Sequence, residues 1–179
     1  MKFTESVLAG AFLIEIEPIH DERGFFARNW SRSEFRARGL ETELEESSLS
    51  FNVRRGTLRG LHYQVAPFEE IKLVRCTQGA IFDVVVDLRR GSDTYLRWDA
   101  VELTADNRCL RYIPKGMAHG FQTLVDGTEV FYQMSAAYSP EHSRGIRWDD
   151  PALRIPWPET ETRTLSAADR GRPPLGNSP

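Results

Sequence analysis

The chain has 179 residues, 40% hydrophobic and 11% aromatic, which supplies one sizeable core and excludes disorder over most of the length. With 23 Lys plus Arg against 26 Asp plus Glu, the formal charge is -3, so the basic footprint of a general nucleic-acid binder is missing and any bound anion must be met by a local pocket. No apolar stretch approaches the ~20 residues of a membrane-spanning helix, so neither nucleic acid nor membrane is expected as a partner.

In chain order, the apolar run 7–14 is flanked by Glu5, Glu15 and Glu17 and carries no small-residue cleavage pattern, so it reads as a strand of a cytoplasmic protein. Arg23, in Asp21-Glu22-Arg23-Gly24-Phe25-Phe26, reads as a turn arginine leading into an aromatic strand. Ser31-Arg32-Ser33-Glu34 has capping-box spacing, with Phe35 as an apolar contact and Gly39 as a stop, which predicts a helix of about two turns. Segments 57–64, 71–76, 80–88, 95–103, 108–113, 117–124 and 128–134 are short and β-rich, separated by turn formers such as Gln78-Gly79, Asp106-Asn107 and Asp126-Gly127. Such a succession predicts an all-β sandwich, jelly roll or small barrel. Beyond Tyr138, the prolines and tryptophans of 144–158 predict an ordered arm clamped on the barrel. Residues 1–170 form one domain in this reading, and 171–179 a flexible tail. Cys76 and Cys109 lack a CxxC partner and lie in apolar runs, which predicts buried thiols.

Two histidines lie in strands among small neighbours. His62 alternates with Leu58, Gly60 and Gln64, so a glycine lets something approach beside its ring, and His119 stands between Ala118 and Gly120. Each reads either as a hydrogen-bonded core histidine or as one wall of a polar cavity. Lys72 alternates with Val74 and Cys76 and is either a strand-end lysine reaching water or a cation aimed into the barrel. Tyr132 alternates with Val130 and Met134, and a buried phenol there wants a hydrogen-bond partner. Asp83 and Asp87 share a face with Ile81 and Val85, as paired acids or as solvent-facing or arginine-paired carboxylates. Local pattern makes Asp169 a surface carboxylate after a Ser cap. No phosphate loop, nucleophile elbow or dinucleotide fingerprint is present.

Several motifs then combine in order: Asp21-Glu22-Arg23-Gly24-Phe25-Phe26, Arg59-Gly60-Leu61-His62-Tyr63-Gln64, Lys72-Leu73-Val74-Arg75, 82–89, Ala118-His119-Gly120-Phe121, and 145–151. Together they resemble the dTDP-4-dehydrorhamnose 3,5-epimerase family. The resemblance implies a cupin-type jelly roll with one or two short helices, and a homodimer sharing N-terminal strands. It also implies epimerisation, without cofactor or metal, at carbons 3 and 5, or carbon 3 alone, of a nucleotide-diphosphate 4-keto-6-deoxyhexose. It assigns His62 as base, Asp169 as the carboxylate that orients it, Tyr132 as the opposing acid and Lys72 as enolate stabiliser. Arg23, Phe26, Arg59, His119 and Tyr138 line the substrate site in this reading.

The chemistry is consistent with those types. A hydrogen beside a ketone is removable because the charge spreads onto the carbonyl oxygen, but an imidazole of ordinary pKa near 6.5 needs that oxyanion held by a cation. Inversion further requires proton return from the opposite face. The chain departs from the family at Arg28, at Ser47-Ser48-Leu49, at Ser143 and at Ala168, positions expected to contact mainly the nucleotide and diphosphate. The rival readings are a non-catalytic nucleotide-sugar binder and a metal-dependent cupin, for which His62-Tyr63-Gln64 replaces the usual His-x-His pair and leaves too few ligands.

Overall fold

The computed structural model describes residues 1–175. Thirteen strands and two short helices are assigned within them. The strands are β1 Lys2–Glu5, β2 Phe12–Glu15, β3 Ile19–Asp21, β4 Gly24–Phe26, β5 Glu46–Asn52, β6 Leu58–Gln64 and β7 Lys72–Gln78. They continue with β8 Ala80–Asp87, β9 Trp98–Thr104, β10 Leu110–Ile113, β11 Met117–Thr123, β12 Thr128–Met134 and β13 Ser143–Gly145. The helices are α1 Arg32–Arg36 and α2 Ala167–Arg170. One sheet has the order β1-β2-β10-β7-β12-β5 and the second β13-β6-β11-β8-β9, while β3 and β4 form a separate hairpin. The all-β jelly-roll expectation holds.

Period-two alternation sorts the side chains. Val74, Cys76 and Val130 of the six-stranded sheet meet Ile81, Val85, Met117 and Phe121 of the five-stranded sheet in a dry cluster between them. Outside the five-stranded sheet, Val84, Val86 and Ala118 are covered by Ile146, Leu153 and Trp157, the clamped arm that the prolines and tryptophans predict. Indole N–H groups secure this layer: Trp157 Nε1 donates to the Trp148 carbonyl at 2.8 Å and Trp98 Nε1 to that of Leu153 at 2.7 Å. Outside the six-stranded sheet, Phe35 of α1 packs with Ile14, Leu73 and Tyr112.

Several expectations are corrected. The run 7–14 is a strand only from Phe12, because residues 6–10 turn so that Leu8 is buried. Ser31 caps α1 without a side-chain bond: its hydroxyl pairs with Ser33 at 3.0 Å, while Glu34 faces the N-terminal ammonium at 3.3 Å. Strand β5 is absent from the predicted elements because its polarity is reversed, with Leu49 and Phe51 exposed and serines alternating between them. Part of the segment expected as a tail is hydrogen-bonded to the arm. The Pro173 carbonyl accepts from Arg147 N, and Leu175 N donates to Asp150 at 2.7 Å; residues 176–179 of the expected tail lie outside the described residues. Among the described residues no helix is long and apolar enough to cross a membrane.

Candidate active site

The site begins with an irregularity in β6. Across β11, His119 pairs with His62 but Phe121 pairs with Arg59, so three steps along β6 match two along β11. The extra residue turns Arg59 and His62, which strict alternation would set on opposite faces, toward the same side. Leu58 and Leu61 go to the outer core with Val84. This corrects the expected grouping of Leu58 with His62. It also shows what Gly60 admits: a Cβ there would stand 2.5 Å from the Gly120 Cα, at a backbone φ of +134°, so what approaches is the neighbouring strand.

His62 therefore faces a cavity of about 300 Å³, with Lys72, Tyr132, Met134 and Tyr138 on its other walls. A connected hollow of about 440 Å³ adds Arg59, His119 and Phe121. The two sheets divide the chemistry: His62 and His119 stand on β6 and β11, Lys72 and Tyr132 opposite them on β7 and β12.

His62 Nε2 lies 2.5 Å from Asp169 Oδ1. Asp169 is 5% exposed, on the one-turn helix α2 that packs against β6, so the local reading of a surface carboxylate is overturned by the return of the arm. Burial alone would raise the Asp169 carboxyl, but the His62 hydrogen bond and charge, aided by Arg172, hold it below the usual carboxylate range. The Lys72 ammonium is inside, 3.2 Å from Glu70 and 3.4 Å from the His62 carbonyl, so the water-reaching alternative is excluded. The Tyr132 hydroxyl has no protein hydrogen-bond partner among the described residues, and burial pushes its pKa well above the usual phenol range, with Asp83 acting in the same direction. His119 Nε2 is 2.6 Å from Asp83 Oδ2. Arg59 Nε donates to Asn52 at 2.8 Å, and Tyr138 stands 64% exposed at the mouth.

Arg23 and Phe26 are not brought to this cavity within one chain. They sit on the β3–β4 hairpin, where Arg23 is 84% exposed and pairs with Asp21, and Phe26 is 70% exposed. Glu70 and Arg172 went unread, and Ser48 was expected mainly as a contact to the nucleotide and diphosphate. Glu70, whose place two positions before Lys72 was the available signal, pairs with that lysine and with Gln64 at 3.1 Å. Ser48 pairs across with Tyr132 and lines the cavity, so β5 turns Ser48 inward and Ser47 away. Arg172 lines the cavity beside Ser143, in the segment expected to be loose. The other departures are dispersed: Ala168 lines a second hollow behind His62, and Arg28 follows the exposed hairpin. Asp87 is arginine-paired, with Arg89 at 2.7 Å. Among the described residues no cluster of three or more His, Cys, Asp or Glu side chains is placed to hold a metal ion, and both cysteines are free and buried.

Comparison with known proteins points the same way. The family model described as dTDP-4-dehydrorhamnose 3,5-epimerase matches residues 5–177. A Sinorhizobium fredii protein of that name is 42% identical over 100% of this chain and 92% of its own length. A Bacillus anthracis dTDP-4-dehydrorhamnose 3,5-epimerase structure with TDP and pyrophosphate bound superposes with a TM-score of 0.93 at 40% identity, covering 97% of this chain and 99% of that one. A Legionella pneumophila 3,5-epimerase structure in complex with dTDP-4-keto-L-rhamnose gives 0.91 at 34% identity, covering 97% and 92%. With the motifs, the jelly roll and the walls of one cavity in agreement, the chain belongs to the dTDP-4-dehydrorhamnose 3,5-epimerase family, whose members are isomerases.

Proposed function

We propose that this chain epimerises carbons 3 and 5 of a dTDP-linked 4-keto-6-deoxyhexose through an enolate. The observation that carries the reading is the opposition, across one cavity, of the His62–Asp169 pair on one sheet to Lys72 and Tyr132 on the other. His62 removes the proton beside the ketone, and Asp169 orients the ring and stabilises the imidazolium. The Lys72 ammonium meets the developing oxyanion, a contribution of about 3–4 kcal/mol for one such donor. Tyr132 returns a proton from the opposite face, and its raised pKa keeps the phenol protonated as an acid should be. Arg59, His119 and Tyr138 hold the sugar and its carrier. The dTDP handle is supported by the ligands in the Bacillus and Legionella structures.

The working form is a homodimer, and the chain acts in the cytoplasm. Support for the dimer comes from exposed apolar side chains, Ile19 and Phe26 on the hairpin and Leu49 and Phe51 on the edge strand β5. Because β1 and β2 already complete the six-stranded sheet of their own chain, the β3–β4 hairpin is the element left to share. Reaching a second copy, it would bring Arg23 and Phe26 to that copy's cavity.

The test is incubation with dTDP-, GDP- and CDP-linked 4-keto-6-deoxyglucose in heavy water. Deuterium is expected beside the ketone of the dTDP sugar, at both carbons, with His62→Asn inert. Equal exchange by wild type and His62→Asn on every carrier would end the proposal.

A further inference from the structure

Beneath the cavity a chain of charge runs through the barrel interior. Arg111 of β10 is 1% exposed, Asp83 of β8 0% and His119 of β11 4%. Arg111 pairs along its own sheet with Val74 and Leu13, yet its guanidinium crosses to the opposite sheet. There Nη2 donates to Asp99 Oδ2 on β9 at 2.8 Å, and Nε stands 3.9 Å from Asp83 Oδ1. The other carboxylate oxygen, Oδ2, holds His119 Nε2 at 2.6 Å. The arrangement serves stability poorly: Arg111 Nε and Nη1 and Asp83 Oδ1 have no hydrogen-bond partner, and buried ion triads can be replaced by hydrocarbon with no loss of stability.

We propose that Arg111, anchored by Asp99, is a positioning residue for the epimerisation, giving Asp83 its countercharge beneath His119 and thereby setting the tautomer that His119 offers to the substrate. A carboxylate only accepts hydrogen bonds, so the Nε2 facing it carries the hydrogen and Nδ1 keeps its lone pair. No described residue bonds Nδ1, and the ring lines the hollow with Lys72 and Tyr132. Nδ1 thus serves as a fixed acceptor for a sugar hydroxyl, which holds the carbon beside the ketone in line with His62. The charge pattern agrees. Burial pushes His119 below its usual pKa; Asp83 opposes this, whereas Lys72 and Arg111 act in the same direction as burial. The groups facing the ring are therefore Asp83 from β8, Lys72 from β7, Arg111 from β10, His62 from β6 and Tyr132 from β12.

The inference rests on the proposed activity, and its test separates the two. Arg111→Met removes the charge while keeping a long side chain. His119 must then balance Asp83 alone, so its imidazole titration, followed by NMR of histidine-labelled protein with His119→Gln for assignment, is expected to rise by about one pH unit or more. Deuterium exchange into substrate is expected to fall about 10²-fold in kcat, with the acid limb of its pH profile displaced upward, and Arg111→Lys to restore most of both. If Arg111→Met fails to fold, Arg111→Gln, which removes the charge but keeps a hydrogen-bonding side chain for Asp99, should move both readings in the same direction. A folded variant whose His119 titrates as in wild type, or whose titration moves while exchange is unchanged, overturns the proposal. Wild-type protein inert on every nucleotide sugar would defeat the proposed activity instead, with the titration still reporting on the clamp.

Discussion

His62 Nε2 and Asp169 Oδ1 stand 2.5 Å apart although 107 positions separate them in the chain. One residue comes from a central strand and the other from a single helical turn at the end of the arm, so the pair exists only when the arm is docked. Asp169→Asn is expected to lower kcat about 10²–10⁴-fold with little change in KM, since it removes orientation and charge stabilisation of the base without touching the substrate. Steady-state kinetics check this, and wild-type turnover in Asp169→Asn would reduce the pair to a packing contact.

Tyr132→Phe should separate the two halves of the reaction. Proton removal by His62 continues, so deuterium still enters from heavy water, while the inverted product falls by about 10²-fold or more. Because burial holds the phenol above its usual pKa, wild-type activity should show no loss attributable to Tyr132 ionisation below about pH 10. Product analysis by NMR reads both; a variant that inverts as fast as it exchanges would remove Tyr132 from the mechanism.

Gly60→Ala is expected to be among the most damaging small substitutions. Its methyl would meet the Gly120 Cα at 2.5 Å from a backbone conformation that L side chains rarely adopt, so the bulge that turns Arg59 and His62 to one side cannot form unchanged. A loss of about 3 kcal/mol or more in denaturant midpoint analysis is expected. A variant of wild-type stability and activity would contradict the close approach of the two strands.

Asp87 sets an acid limit to stability. Burial would raise its carboxyl, but bonds from Arg89, Ser92 and Thr94, the last two at 2.6 Å, prevail and hold it well below the usual range. A folded-state value below the unfolded one near 3.9 gives stability that is present above pH 4 and lost as the pH falls through the folded value. Asp87→Asn should cost about 3 kcal/mol at pH 7 and flatten the acid limb of a pH series of thermal melts. An unchanged pH series would show that these bonds carry no net stability.

The shared-hairpin dimer predicts that Phe51→Glu, which sets a charge on an edge strand where the phenyl is 55% exposed, lowers the assembly to a monomer in analytical ultracentrifugation. A monomeric wild type would defeat it directly.

Much of this was legible in the sequence because alternation is a local property. The inward facing of Lys72, Val74 and Cys76, and of Val130 and Tyr132, follows from period two and holds. What failed did so for identifiable reasons. Strand β5 borders the cavity as well as the edge, so Ser48 and Ser50 face inward while Ser47, Leu49 and Phe51 face out, and its pattern imitates a loop. The bulge in β6 breaks alternation at the catalytic candidate itself, where a single glycine is the only local sign. Asp169 shows nothing in its neighbours of the burial that the returning arm imposes, and only the family resemblance tied it to His62.

On the proposed mechanism, the division of proton-handling groups between two facing layers makes the hydrocarbon between those layers a gauge. Val74, Val130 and Phe121 pack between those layers, so trimming one of them, as in Val130→Ala, is expected to shift the spacing of His62 and Tyr132 and with it the ratio of inverted to retained product. On that mechanism the filling of the sandwich would bear on stereochemical fidelity as well as on the melting point.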